Sequence, residues 1–427
     1  MVRRTALLGL LAGSLALTGC GLGDTNPTSA PVDTAGKVTG AITFQTLQLT
    51  PTFTSYINSV IADFERKYPG TKVTWHDIPS NSAARKTNAD AVAGSLPDVM
   101  DLDTPTLAPL ARKGLVVDMA TAANDLKDTF LASAWQSVNF GGSSVAALPW
   151  YLNTPVLIKN KSVLDRSGVT ADPTSYTELV ETSKKIAAAT GKAGFQPTAL
   201  GFPNYLLSLG VPLVDAAGTA AEVNTPTAVA FVNSLAQLQK SGGIPADTVA
   251  GQQRDEIETF QEGATAYLET GGSRLKIVQQ NAPAVYSQVA LGKPLGVADR
   301  GTWLVAHGIA VPKSSKNLPT AVAFAKFLTS PSNQLALAKV SSVFPSTKSS
   351  LDDPFFTAAP TDLVTQARSI AAASLRGGHT FVRPAAADTE FTNALWAAVQ
   401  PAILGEVSAQ QALSDAQTKL TSILKSR

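Results

Sequence analysis

Residues 64–78 read FERKYPGTKVTWHDI, and the three residues in the middle separate two kinds of structure. Tyr68-Pro69-Gly70 cannot continue a helix, because proline removes a backbone donor and glycine favours open turns. Upstream, Phe53, Ile57, Val60, Ile61 and Phe64 recur at helical spacing, which predicts a helix over 51–68. Downstream, Lys72–Ile78 places Val73 and Trp75 on one face of a strand, with Asp77 next along it. Before the helix, AITFQTLQL at 41–49 reads as another strand. After the second strand come a helix over 82–94, a short strand over 97–102 and a helix over 105–113 that stops at Gly114. Strand and helix alternate, which predicts an α/β lobe layered on a largely parallel sheet.

The same reading continues outward. SSVAALPWYLNTPVLIKN at 143–160 is a strand pair or one bent strand. Helices follow over 174–190, 225–240 and 255–262, the last leading into a strand at 264–269 and the glycine turn Thr270-Gly271-Gly272-Ser273. TWLVAHGIAV at 302–311 is a strand, and helices close the chain over 318–329, 361–375, 388–404 and 408–426. No internal repeat is visible. The ~385 residues of this body exceed one comfortable hydrophobic core, so two lobes are expected.

The amino-terminal end is different. Arg3 and Arg4 precede an apolar run from Ala6 to Leu17, then Thr18, Gly19 and Cys20, the only cysteine in 427 residues. The run is too short for a permanent span and has the layout of an export signal over 1–19. Leu17-Thr18-Gly19-Cys20 resembles the bacterial lipobox. That resemblance implies cleavage before Cys20 and lipid on its thiol and new amino terminus, anchoring the protein to the outer face of the cytoplasmic membrane. Residues 20–40 are Gly, Pro, Ser, Thr, Asp and Asn with hardly a large apolar side chain, the composition of a disordered tether. About 20 such residues reach roughly 25 Å.

Composition removes several function classes. One cysteine allows no intrachain disulfide, and His76, His307 and His379 lie too far apart for a zinc motif. No metal and no cofactor is expected. The net charge of +2 falls to about zero once Arg3 and Arg4 leave with the signal, which argues against nucleic acid. No Gly-x-Ser-x-Gly, His-Glu-x-x-His or glycine-rich phosphate loop occurs. Asp101 and Asp103 would share one side of a strand rather than face each other across a glycosidase cleft. Scattered tyrosines without a Tyr-Tyr pair argue against a ferric-ion receptor.

A set of short motifs carries a family resemblance over about 41–426. They are Phe64-x-x-x-Tyr68-Pro69-Gly70 followed by Val73, then Gly94-Ser95-Leu96-Pro97-Asp98-Val99, then Leu110-x-x-x-Gly114-Leu115 with Asp118. Ala147-Leu148-Pro149-Trp150-Tyr151, Phe260-x-x-Gly263-Ala264, His307-Gly308-Ile309-Ala310-Val311-Pro312-Lys313 and Ala323-Phe324-x-x-Phe327-Leu328-Thr329-Ser330 complete the order. Together they resemble the extracellular solute-binding proteins of the maltose-binding-protein type, the family 1 receptors of ABC importers. The resemblance implies a periplasmic-binding-protein-like α/β fold of two lobes, each a mainly parallel sheet flanked by helices, with a hinge and an inter-lobe cleft. It places one lobe at 41–157 plus 306–344 and the other at 158–305 plus 345–427. It also implies a monomeric receptor, not an enzyme, that delivers solute to ABC permease subunits powered by a cytoplasmic ATPase.

A carbohydrate presents hydroxyls to planar polar side chains and C–H faces to aromatic walls. At strand ends and glycine loops the residues of those types are Gln45, Gln48, Asn81, Asp103, Trp150, Tyr151, Phe202, Asn204, Gly272, Ser273, Arg274, Trp303 and Arg376. For Asn81 a helix cap is the stronger reading and for Asp103 an equal one, and Trp150 and Trp303 read also as packing. Phe202 and Asn204 lie in GFPNYLL, read as a loop reaching the cleft. Ser273-Arg274 stand where many relatives carry a tryptophan, which leaves a glycerophosphodiester or other anionic solute as an alternative. A surface adhesin or sensor that binds without transport is a third reading.

Overall fold

The structure is a computed structural model that describes residues 33–140, 143–245, 247–249, 254–296, 302–377, 380–381, 384, 386–387 and 389–426. Cys20 and His379 lie outside the described residues.

Eleven strands are found among the described residues: β1 (Gly40–Leu47), β2 (Thr71–Ile78), β3 (Val99–Asp103), β4 (Leu148–Asn153), β5 (Val156–Asn160), β6 (Tyr267–Thr270), β7 (Val289–Gly292), β8 (Thr302–Trp303), β9 (Val305–Ala310), β10 (Phe344–Pro345) and β11 (Thr380–Phe381). Six of them form one sheet in the order β10-β4-β9-β3-β1-β2. β2, β1 and β3 run parallel, β9 runs against β3 and β4, and β10 runs against β4, so four of the six share a direction. The turn at Tyr68-Pro69-Gly70 acts as the sequence implies. The helix Thr54–Lys67 ends there, Gly70 takes a φ of 90°, and β2 enters in register beside β1, Gly40 against Thr71.

Helices Thr54–Lys67 and Leu318–Leu328 pack on this sheet through one apolar cluster. Phe324 is its pivot. Its ring meets Phe44 of β1 edge-on at 5.2 Å and Phe64 at 5.0 Å, and all three rings are fully buried.

The segment 143–160 is two strands, and they enter different sheets. β4 joins the six-stranded sheet, Thr154-Pro155 interrupts, and β5 becomes the centre of a three-stranded sheet ordered β6-β5-β7. Alternation along β5 buries both faces: Leu157 packs into one apolar cluster, while Val156 and Ile158 pack into another. Both pairings of β5 are antiparallel. The mainly parallel arrangement expected for this second sheet is therefore corrected. Helices do lie between these strands, but each excursion returns to β5 from its opposite end, so β6 and β7 both run against it.

Among the described residues the chain passes three times between these two sheets, and the passages lie side by side. Leu152 of β4 is in register with Ala306 of β9 and with Phe344 of β10. The Thr154 hydroxyl donates to the Trp303 carbonyl at 3.1 Å. Leu152, Ala306 and Phe344 join Val156 and Ile158 in one buried cluster, so the passages are packed rather than loose. No helix among the described residues is long and apolar enough to cross a membrane.

Candidate functional site

A cleft of about 400 Å³ opens beside these passages. One wall comes from the carboxyl end of β3. Asp103 ends that strand and caps the helix Thr104–Arg112, its carboxylate accepting from the Thr106 amide at 3.0 Å, with Pro105 at the helix start. Strand ends of this kind are where open α/β sheets place their ligands.

The facing wall is built from three pieces. The first is the helix Phe202–Ser208 with Gly201, Asn204 and Tyr205. Gly201 is required there, since a Cβ would lie 2.5 Å from the Tyr205 hydroxyl and 2.9 Å from Thr198 Oγ1. The second piece is Glu269-Thr270 at the end of β6, with Arg274 beyond the glycine turn. The third is Glu256, at the start of the helix Glu256–Gln261. Trp303, Leu304 and Val305, on the β8–β9 passage, complete the lining between the walls.

Hydrogen bonds hold much of this facing wall. Glu269 accepts from the Tyr176 hydroxyl and from the Leu295 amide at 2.7 Å. Burial pushes the Glu269 carboxyl up to about 7 against these stabilising bonds. Burial likewise pushes Glu256 up to about 7, with Asp255 adding to the shift and Arg274 opposing it. The Tyr176 and Tyr205 rings lie 4.4 Å apart behind the wall. Arg274 is 3.9 Å from Asp255. Among the described residues the cleft carries three carboxyls, Asp103, Glu256 and Glu269, against one guanidinium.

Behind Asp103 sits a buried polar group. His307 Nδ1 lies 2.8 Å from both Tyr151 Oη and Asp101 Oδ1, and the Tyr151 ring stacks on the imidazole at 4.4 Å. Burial opposes charge on His307, but the Asp101 carboxylate and, further off, Asp103 raise its pKa overall.

Of the residues expected at the site, Asp103, Asn204, Arg274 and Trp303 come together in the cleft. The others do not. Trp150 is fully buried in the core of the first sheet, and Tyr151 is taken up by His307. Phe202 is core because GFPNYLL forms a helix rather than a loop, which turns its first ring inward against Trp396. Gln45 is buried within β1. Gln48 and Asn81 are exposed at the ends of β1 and β2, where Ser80 donates to Gln48 Oε1 at 2.6 Å. Arg376 donates to the Leu351 carbonyl at 2.7 Å. Gly272 and Ser273 line a different cavity of about 360 Å³ with Phe53, Phe355 and Arg368. Glu256 and Glu269 are the cleft groups that sequence reasoning missed. Glu269 lies at a strand end, the signal that singled out Asp103, and just before the glycine turn. Glu256 carries no comparable signal.

Comparison with known proteins follows the same lines. A family model described as bacterial extracellular solute-binding protein matches residues 50–335, more than half of the chain. A solved structure of a candidate oligosaccharide periplasmic-binding protein from Synechococcus sp. MITs9220 is 27% identical. It superposes with a TM-score of 0.80 over 90% of this chain and 99% of that one. The GacH receptor of Streptomyces glaucescens, solved unliganded and with acarbose, is 21% identical with a TM-score of 0.68 over 91% of this chain and 99% of that one, a likeness of fold. Among curated relatives, the diacetylchitobiose binding protein DasA of Streptomyces coelicolor is 24% identical over 298 residues, 66% of this chain and 68% of DasA. A binding-protein homologue from Brucella abortus is 23% identical over 274 residues, and the chain spans 65% of its length. The two-lobed α/β architecture and the family model agree, and the chain belongs to the bacterial extracellular solute-binding protein family.

Proposed function

We propose that the protein is an exported receptor that captures a carbohydrate, a di- or oligosaccharide, in the cleft between its lobes. It delivers the sugar to the permease of an ABC importer. One observation carries this reading: a cleft of about 400 Å³ sets an aromatic face, Trp303, among the acceptors Asp103, Glu256 and Glu269 and the amide of Asn204. That volume lies in the range of small-ligand sites. Aromatic faces meet sugar C–H surfaces and carboxylates accept sugar hydroxyls. The names of DasA, a diacetylchitobiose binding protein, and of GacH, solved with acarbose, are in keeping with it.

Binding is reversible and no covalent chemistry is assigned to the chain. The lobes are taken as 41–157 plus 306–344 and 158–305 plus 345–427, and the three adjacent passages support boundaries near Thr154, Leu304 and Pro345. Closure turns on those passages, and the closed form is what the permease recognises. The receptor acts as a monomer tethered through lipid on Cys20. The anionic-solute alternative loses ground in this geometry, because among the described residues three carboxyls face one Arg274 that already has Asp255 beside it.

Thermal unfolding of the full chain with glucose, maltose, maltotriose, N,N′-diacetylchitobiose and glycerophosphocholine tests the proposal. A sugar at about 100 times its Kd adds about 2.7 kcal/mol and raises the midpoint by roughly 3 °C in a chain this long. A shift with glycerophosphocholine alone, or with none of the panel, would overturn the carbohydrate reading.

A further inference from the structure

We infer that Glu256 is the open acceptor of the cleft: it takes hydroxyl or ammonium donors of the solute as a carboxylate, selects neutral or cationic carbohydrates over anionic ones, and makes capture depend on pH. This rests on the carbohydrate reading above and adds to it a residue and a class of group.

The cleft carboxyls differ in what they already hold. Both oxygens of Glu269 hold hydrogen bonds from the protein, one from Leu295 and one from Tyr176. Asp103 spends one oxygen on the Thr106 amide. Glu256 has no hydrogen bond and no ion pair within 4 Å among the described residues, yet it lines the cleft and is only partly exposed. A half-buried carboxyl with both oxygens uncommitted is costly to ionise until a donor arrives. A solute hydroxyl or ammonium would supply that donor, whereas a carboxylate or phosphate would add repulsion.

The groups facing Glu256 set the pH at which this happens. Asp255 precedes it on its own element, Arg274 approaches from beyond the glycine turn, Glu269 faces it from β6, and Tyr205 from the helix Phe202–Ser208. Burial and Asp255 outweigh Arg274, so the free carboxyl titrates at about 7. If solute binds only the ionised form, the apparent Kd is close to its limit at pH 8 and about 30-fold weaker at pH 5.5.

Calorimetric titration of the full chain with maltotriose and with N,N′-diacetylchitobiose at both pH values decides the matter. The expected result is that 30-fold weakening at pH 5.5 for whichever sugar binds. Glu256→Gln is expected to bind it about 10- to 100-fold more weakly at pH 8 and with no pH dependence. The variant's unfolding midpoint without sugar at pH 8 should be no lower than that of the parent, which separates a binding role from a structural one. Sugar binding that is flat between the two pH values, or that survives Glu256→Gln at pH 8, overturns the inference and leaves the receptor standing. Absence of sugar binding by the parent chain at pH 8 removes the receptor reading and this inference with it.

Discussion

Raising the pH from 5 to 8 without ligand should destabilise this protein, although neutral pH suits most proteins. Glu256 and Glu269 have an ordinary value of 4.5, and burial lifts each to about 7. Between those values the folded chain binds more protons than the unfolded one. The stabilisation is therefore full below about 4.5 and is lost as pH rises through about 7. Each pH unit of difference is about 1.4 kcal/mol, so one fully shifted glutamate forfeits about 3 kcal/mol. Glu256 faces the open cleft and the two carboxyls raise each other's cost, so about 3 kcal/mol is taken for the pair. His307 works in the same direction. The stabilisation from its raised value is present below 6.5 and fades as pH climbs through the folded value. Asp77, Asp353 and Asp362 are lowered, and their contribution disappears only as pH falls below the ordinary 3.8, outside this window. Unfolding entropy near 2.1 cal/mol/K per residue, summed over ~395 residues, converts 3 kcal/mol into about 4 °C. The assay is differential scanning calorimetry at pH 5 and pH 8 on the parent and on a Glu256→Gln, Glu269→Gln double variant. The parent should melt about 4 °C lower at pH 8, and the double variant should lose most of that difference. A parent midpoint equal or higher at pH 8 would refute the reasoning.

Two further perturbations test the packing that positions the site. Phe324→Ala removes a fully buried ring that touches Phe44 and Phe64, and should cost about 3–5 kcal/mol in urea unfolding; a loss under 1 kcal/mol would mean that these helices do not share one core with β1. Gly308→Ala puts a methyl 2.8 Å from Ala147 Cβ and 3.1 Å from Val138 Cγ1 inside β9, and should cost about 1–3 kcal/mol by the same assay. Asp103→Ala should lose about 1 kcal/mol of stability with the helix cap while Asp103→Asn keeps it, so unfolding of the two variants separates the cap from the charge.

The fold was legible where backbone chemistry punctuates the chain. Tyr68-Pro69-Gly70 marks the helix-to-strand turn, and Asp103-Thr104-Pro105 marks the start of a helix at a strand end. The site was less legible, for physical reasons. Trp150 and Tyr151 stand at a strand position that only the pairing of β4 with β9 and β10 defines, and that pairing buries them. GFPNYLL contains both glycine and proline and so reads as a loop, but Pro203 sits in the first turn of a helix, where its missing donor costs nothing. That shift carries Phe202 into the core and leaves Asn204 and Tyr205 at the cleft. For Arg274 the sequence allows either a ligand contact or a carboxylate partner, and the fold places Asp255 beside it from 19 positions upstream. Glu256 and Glu269 are brought together by tertiary structure alone.

The central claim is that a carbohydrate binds in the cleft against Trp303. Tryptophan fluorescence of the full chain, titrated with maltotriose and with N,N′-diacetylchitobiose, tests it most directly when Trp303→Phe is titrated in parallel. The parent should show a saturable change with one of these sugars, most of it absent in Trp303→Phe. Saturable sugar binding with the same fluorescence change in both proteins would contradict the placement of the sugar, and no response to either sugar in the parent would contradict the claim itself.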